Sequence, residues 1–343
     1  MDKTRSLAVA AAATIALVFA SGCGSDQPAS DGGSENPLKI AADNTSIHEA
    51  IFGFMQSYCD PAEYAMEFEV VTGSTRYFDR LTWLQKGQVD ISASGYQVLP
   101  VAAEQNLPVV AIAGTNLGAM DLVVPADSNI SSLQDLEGKQ IGIGTGSITG
   151  HLLQISLAEN GIDLDTVELV TMPPGPQATV ALTDGEVDGI VSWEPWISKT
   201  VVDGDGKIPF DYAINDVGPL NGLLQVMQDK KDDPRLPGFV RCMVDATEYL
   251  NNNPDKKLDA MVEWTGLPRE VIEHAAPRLA YDTNLYLPST ENYARSMFNF
   301  QLAKADYSAQ MPTLFDYSLL EQATGKSADE LGRALPAPAR NLQ

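Results

Sequence analysis

The chain has 343 residues, 44% hydrophobic and 20% charged, a length that predicts two domains of about 150 residues each. Its 46 acidic against 22 basic residues give a formal charge of -24, which repels nucleic-acid phosphates and anionic headgroups alike, so polyanion binding is excluded and no nucleic-acid partner is expected. Three cysteines and three histidines, with no Cys-x-x-Cys and no His-x-x-x-His, lack the spacing of structural zinc and of thioredoxin-like sites, so neither a metal nor a cofactor is expected.

Lys3 and Arg5 precede an uncharged run over 7–20, the length of a secretory h-region and too short to span a bilayer. The run leads into Ala20-Ser21-Gly22-Cys23, which resembles the lipobox of bacterial lipoproteins, with Ala20 where Leu is usual. The resemblance implies a signal peptide over 1–22, lipid on Cys23 and an extracytoplasmic chain anchored to the cell membrane. Over 24–37 Ser, Gly, Asp and Pro dominate and only Ala29 is apolar, so 23–37 reads as a flexible tether. Outside the cytoplasm thiols tend to pair; we expect a disulfide between Cys59 and Cys242, with two buried free thiols as the alternative.

Strands are predicted at 38–42, 67–71, 89–93, 109–113, 122–125, 140–144, 167–171 and 189–192, with helices at 46–58, 77–86, 149–160 and 177–183. This alternation, with continuous apolar strands, predicts an α/β fold on mainly parallel sheets covered on both faces. Beyond 234 the strands stop, and helices at 239–251, 255–264, 269–274 and 290–305 form a coat. Two passages echo each other: Lys86-Gly87-Gln88-Val89-Asp90-Ile91 recurs as Asp184-Gly185-Glu186-Val187-Asp188-Gly189-Ile190, and Thr72-Gly73-Ser74-Thr75 as Thr145-Gly146-Ser147-Ile148-Thr149, as if one unit were built twice.

Gly138-Lys139-Gln140-Ile141-Gly142-Ile143 with Gly146-Ser147, then Glu159-Asn160-Gly161-Ile162-Asp163, Val167-Glu168-Leu169-Val170, Asp184-Gly185-Glu186-Val187-Asp188 and Trp193-Glu194-Pro195-Trp196 follow one another in a family's order and spacing. They resemble the substrate-binding proteins of bacterial ABC importers for sulfonates, taurine, nitrate and thiamine-precursor pyrimidines. The resemblance runs from about Leu38 to Ala323 and includes the helix at 246–251 with Asn253-Pro254 behind it. It implies a two-lobed, type II periplasmic-binding-protein-like fold with a cleft closed by a hinge. We place the two crossovers near Asp121 and Asn221, lobe 1 at 38–122 plus 219–330, lobe 2 at 123–218 and a tail at 331–343. The implied function is capture of a small organic anion, a sulfonate or carboxylate with aromatic members included, by a monomer that delivers it to an ABC permease and ATPase. The alternatives are a neutral or cationic nitrogen heterocycle as ligand, which Glu194, Asp121 and the indoles would suit, and a ligand-sensing subunit without transport.

Residues 72–75 and 147–149 offer hydroxyls and backbone N–H groups at helix starts, suited equally to clamping a small anion or to capping alone, and the resemblance, which implies ligand contacts in the second loop, makes Ser147 and Thr149 the leading ligand candidates. Ser74, Ser147 and Thr149 are therefore candidate ligand residues, with Arg76 as a countercharge or a solvated surface arginine. Asn44, Ser46 and His48 follow the first strand, Ser94 and Tyr96 close the third, and His151 lies one turn into the helix after Ser147. Trp193 and Glu194 end the second-lobe strand, where an indole could stack on a planar ligand. Catalytic motifs are wanting: Gly142-Ile143-Gly144-Thr145-Gly146 completes neither a Walker loop nor a dinucleotide fingerprint, and no Gly-x-Ser-x-Gly occurs, so no enzyme is expected.

Overall fold

The computed structural model describes residues 36–335 apart from 75, 145, 174 and 211–218. The signal peptide, the tether and Cys23 lie outside the described residues. The strands are β1 (Leu38–Ala41), β2 (Phe68–Val71), β3 (Ile91–Gly95), β4 (Val109–Gly118), β5 (Met120–Pro125), β6 (Gln140–Ile143), β7 (Glu168–Thr171), β8 (Gly189–Trp193), β9 (Gly206–Lys207), β10 (Leu220–Met227) and β11 (Leu279–Tyr281). Helices α1 (Ala50–Tyr58), α2 (Pro61–Tyr64), α3 (Tyr77–Gln85), α4 (Val98–Gln105), α5 (Ile148–Glu159), α6 (Pro176–Thr183) and α7 (Trp196–Val202) alternate with them. The C-terminal part adds α8 (Leu236–Asn252), α9 (Pro254–Thr265), α10 (Arg269–Ala275), α11 (Leu287–Asn299), α12 (Ser318–Thr324) and α13 (Ala328–Leu331).

The strands form two sheets, ordered β11-β4-β10-β3-β1-β2 and β7-β6-β8-β5-β9. β1, β2, β3 and β4 run one way, with β10 and β11 against them; in the second sheet β5 alone opposes its neighbours. Two of the antiparallel members, β5 and β10, stand where the chain changes sheets: β4 passes into β5 through Gly118 and Ala119, both with positive φ, and β10 returns to the first sheet. A strand entered by a turn rather than through a covering helix has no reason to run parallel. β5 is buried on both faces: Leu122 and Val124 join one apolar cluster while Val123 joins another. α5 serves both sheets, with Ile148, Leu152 and Ile155 in the core of the first and Leu153 and Leu157 in that of the second.

The first echo is structural. Lys39 N–H donates to Asp90 Oδ2 at 2.9 Å and Asp90 N–H returns to Lys39 O at 2.8 Å; Gln140 and Asp188 repeat this at 2.9 and 2.8 Å. The second echo is not equivalent. The stretch 72–75 follows β2, an edge strand, whereas 145–149 follows β6, an interior one, and the topological counterpart of Ser147 is Ser46 after β1. Strand-to-helix turns share residue chemistry whichever strand they end. The expectation that strands stop beyond 234 also fails, since β11 edges the first sheet against residues 116–118; three residues are too few to show a period. Cys59, capping α1, and Cys242 in α8 are joined by a disulfide with Cα atoms 5.9 Å apart.

Candidate functional site

The interior strands β1 and β6 each end in a serine-capped turn. After β1, Asp43 Oδ1 accepts from Thr45 N–H and from its hydroxyl, both at 2.8 Å, a turn that presents Ser46 in extended conformation. Ser46 Oγ accepts from His48 N–H at 3.3 Å and lies 2.5 Å from His48 Nδ1, while His48 Nε2 sits 3.4 Å from Gly118 O. Burial holds the His48 imidazole down at about 4, so it is neutral at ordinary pH. After β6, Gly146 takes φ +63°, which glycine adopts without strain, and delivers Ser147 to cap α5. Ser147 Oγ accepts from Gly150 N–H at 3.1 Å, donates to Gly144 O at 2.7 Å and lies 2.9 Å from Thr149 Oγ1. The first-turn N–H groups of Ile148 and Thr149 have no carbonyl within the helix to bond.

Both turns face a cavity of about 550 Å³ whose lining comes from both sheets. Tyr77, Phe78, Met120, Met172 and Trp193 supply apolar wall; Arg76, Gln97, Gln177 and Asn221 add polar groups. Its buried charged groups are Asp43, Glu49 and Arg80. Arg80 Nη1 donates to Glu49 Oε1 and Oε2 at 2.7 and 2.9 Å and to Ala93 O at 2.7 Å, and Nε donates to Ser74 O at 2.9 Å. Glu49 also accepts the Asp43 N–H. Burial pushes the Glu49 carboxyl up against the pull of Arg80, but every bond it makes is an acceptor's, the pattern of the ionised form.

Of the residues singled out from sequence, Ser46, His48, Arg76, Ser147, Thr149 and Trp193 line this cavity. The others lie elsewhere. Asn44 is exposed on its turn. Ser74 Oγ donates to Asp79 Oδ2 at 3.0 Å, Ser94 Oγ donates to Gln225 Oε1 at 2.9 Å, and Tyr96 OH accepts from Tyr286 N–H at 3.5 Å. His151 Nδ1 sits 2.7 Å from Tyr293 OH, joining α5 to α11. Glu194 is fully buried, accepts from Ser198 N–H and Oγ–H at 3.0 and 2.9 Å, and lies 3.0 Å from Arg278 Nε; burial raises it to about 7. Arg278 also reaches Asp121 at 2.5 Å, so both carboxylates suggested for a nitrogen heterocycle are held by one arginine. Sequence reasoning missed Asp43, Glu49, Arg80 and Gln97; the visible signal was Glu49, a charge inside the apolar run Ile47-His48-Glu49-Ala50-Ile51. Among the described residues no group of three or more His, Cys, Asp or Glu could hold a metal ion.

A family profile described as NMT1/THI5 like matches residues 66–257. The taurine-binding periplasmic protein of Escherichia coli (strain K12) is 30% identical over 234 residues, covering 62% of this chain and 72% of that protein. Among solved structures, the alkanesulfonate-binding protein SsuA of Xanthomonas axonopodis pv. citri bound to MOPS superposes with a TM-score of 0.71 at 17% identity over 82% of this chain and 98% of that one. The periplasmic nitrate-binding protein NrtA of Synechocystis PCC 6803 gives 0.72 at 13% identity over 87% and 91%. These similarities establish the periplasmic-binding-protein fold.

Proposed function

We propose, on the premise that the chain belongs to the NMT1/THI5-like family, that it is an extracytoplasmic solute-binding protein that captures a small organic anion in the cavity between its sheets and passes it to an ABC importer. In this reading 38–122 with 219–330 and 123–218 are two lobes that close about crossovers near Asp121 and Asn221, while lipid on Cys23 and the tether hold the protein at the membrane. The observation that carries it is the meeting of two serine-capped turns, at Ser46 and Ser147, around one cavity from interior strands of different sheets. The start of α5 lines the cavity and presents first-turn N–H groups for which the helix itself has no carbonyl, suited to a sulfonate or carboxylate, and Arg76 adds charge at the rim. Ser46, His48, Arg76, Ser147, Thr149 and Trp193 are the proposed lining; Asn44, Ser74, Ser94, Tyr96, His151 and Glu194 act as scaffold. The aromatic wall of Tyr77, Phe78 and Trp193 supports a second reading, a planar nitrogen heterocycle as ligand. A thermal-shift screen of sulfonates, aromatic carboxylates, nitrate and pyrimidines decides between them. At a hundredfold excess over Kd a ligand stabilises by about 2.7 kcal/mol. Stabilisation by pyrimidines alone would overturn the anion reading.

A further inference from the structure

One arginine outside the cavity grips the back of its wall. Met120 on β5 and Trp193 on β8 are register partners, and both line the cavity. Each is followed by a buried acid, Asp121 and Glu194, that does not line it, since alternation along a strand turns such neighbours to the opposite face. Arg278 ends the turn Ala276–Arg278 and leads directly into β11 of the first sheet. Its Nη2 donates to Asp121 Oδ2 at 2.5 Å, and its Nε stands 3.0 Å from Glu194 Oε1. A single side chain therefore joins an edge strand of the first sheet to two strands of the second, behind the residues they present to the cavity.

Glu194 is held from other sides as well. Its N–H donates to Ala119 O at 2.9 Å, at the passage from β4 into β5. Its carboxylate accepts from Ser198 on α7, whose Oγ lies 2.8 Å from His274 Nδ1 on α10. The charged and titratable groups that face it are Arg278 and Asp121, with His274 beyond Ser198. The grip of Arg278 on Glu194 rests on charge, because Nε is buried and makes no hydrogen bond. Protonating Glu194 removes that attraction and leaves the Asp121 bond in place.

We propose that Arg278 is a positioning residue for ligand capture, fixing from outside the cavity where Met120 and Trp193 stand in its wall. Its hold loosens when Glu194 takes up a proton. That this wall meets a ligand rests on the function proposed above. The placement of the wall does not, and it is measured on ligand-free protein, so either reading can fail alone.

The test is fluorine NMR of the protein with its four tryptophans replaced by fluorotryptophan, the Trp193 signal being assigned by Trp193→Phe. In wild type the Trp193 resonance is expected to move with pH about a midpoint near 7, where burial places Glu194, and to move further than those of Trp83 on α3 and Trp264 on α9. Glu194→Gln should abolish this transition. Arg278→Met should displace the Trp193 resonance and raise the midpoint by about one pH unit or more, since the cation that favours the ionised form is gone, and Arg278→Lys should return both toward wild type. A Trp193 resonance unmoved by Arg278→Met, or moved no more than those of Trp83 and Trp264, would overturn the proposal. So would a transition that survives in Glu194→Gln, which would belong to His274. If Arg278→Met does not fold, Arg278→Lys and Asp121→Asn decide: a Trp193 resonance and midpoint at their wild-type values in both would overturn the proposal, and displacement in Asp121→Asn without displacement of Trp83 and Trp264 would support it.

Discussion

Replacing Arg80 by Met is the most severe single change the cavity offers. It removes the two bonds to Glu49, the bond to Ala93 O and the bond to Ser74 O, and it leaves Glu49, 4% exposed, as a second buried carboxylate beside Asp43. Breaking a buried pair by deleting one partner costs about 3–5 kcal/mol, because the remaining charge is uncompensated. Against a typical total of about 5–15 kcal/mol, that is enough to leave the protein marginal. Glu49→Leu added to Arg80→Met takes away the stranded charge and restores part of the loss, less about 1–3 kcal/mol for the Asp43 N–H left without its acceptor. Urea unfolding followed by circular dichroism measures both variants. The reasoning fails if Arg80→Met costs less than about 1 kcal/mol or if the double variant is the less stable of the two.

Ser147→Ala should lower stability by about 1 kcal/mol and weaken ligand binding less than about tenfold, because the hydroxyl is spent on its own turn; a hundredfold affinity loss at unchanged stability would reverse that assignment. Changing Cys59 and Cys242 to Ala frees a loop spanning 183 positions, for which chain entropy gives about 5 kcal/mol, and guanidinium unfolding showing a loss below about 1 kcal/mol would contradict it. Burial holds His48 and His151 at about 4 against an ordinary 6.5, so the folded form binds fewer protons between those values and their contribution is lost as pH falls through that window. Glu194, raised by burial, acts in the opposite direction as pH rises from 4.5. The informative quantity is therefore a difference: His48→Gln/His151→Gln should gain on wild type by up to about 3 kcal/mol per histidine on acidification, and a pH-independent offset would refute this.

The elements most legible from sequence are those whose residues carry their own signal. β1, β3, β6 and β8 are apolar runs bounded by turn residues, and Ser147 announces a cap by standing between a strand and a helix. β10 was missed because Asn221 and Gln225 interrupt its apolar pattern; both are buried, Asn221 Nδ2 donating to Gly118 O at 2.9 Å and Gln225 Oε1 accepting from Ser94. The charged cavity lining was missed for a different reason. Glu49 and Arg80 are 31 positions apart and meet only after β1, α1 and α3 are packed, so no local pattern announces the pair. Glu194 and Asp121 misled because an exposed-looking acid at a strand end and one clasped by Arg278 are the same letter until the fold is known.

Hydrogen exchange with and without the most stabilising compound from the ligand screen tests most directly whether the cavity between the sheets is the binding site. Ligand contact from both sides predicts that amides in 43–48 and in 146–150 gain protection together, in proportion to saturation. Saturable binding with protection confined to one of the two segments, or to neither, would contradict it.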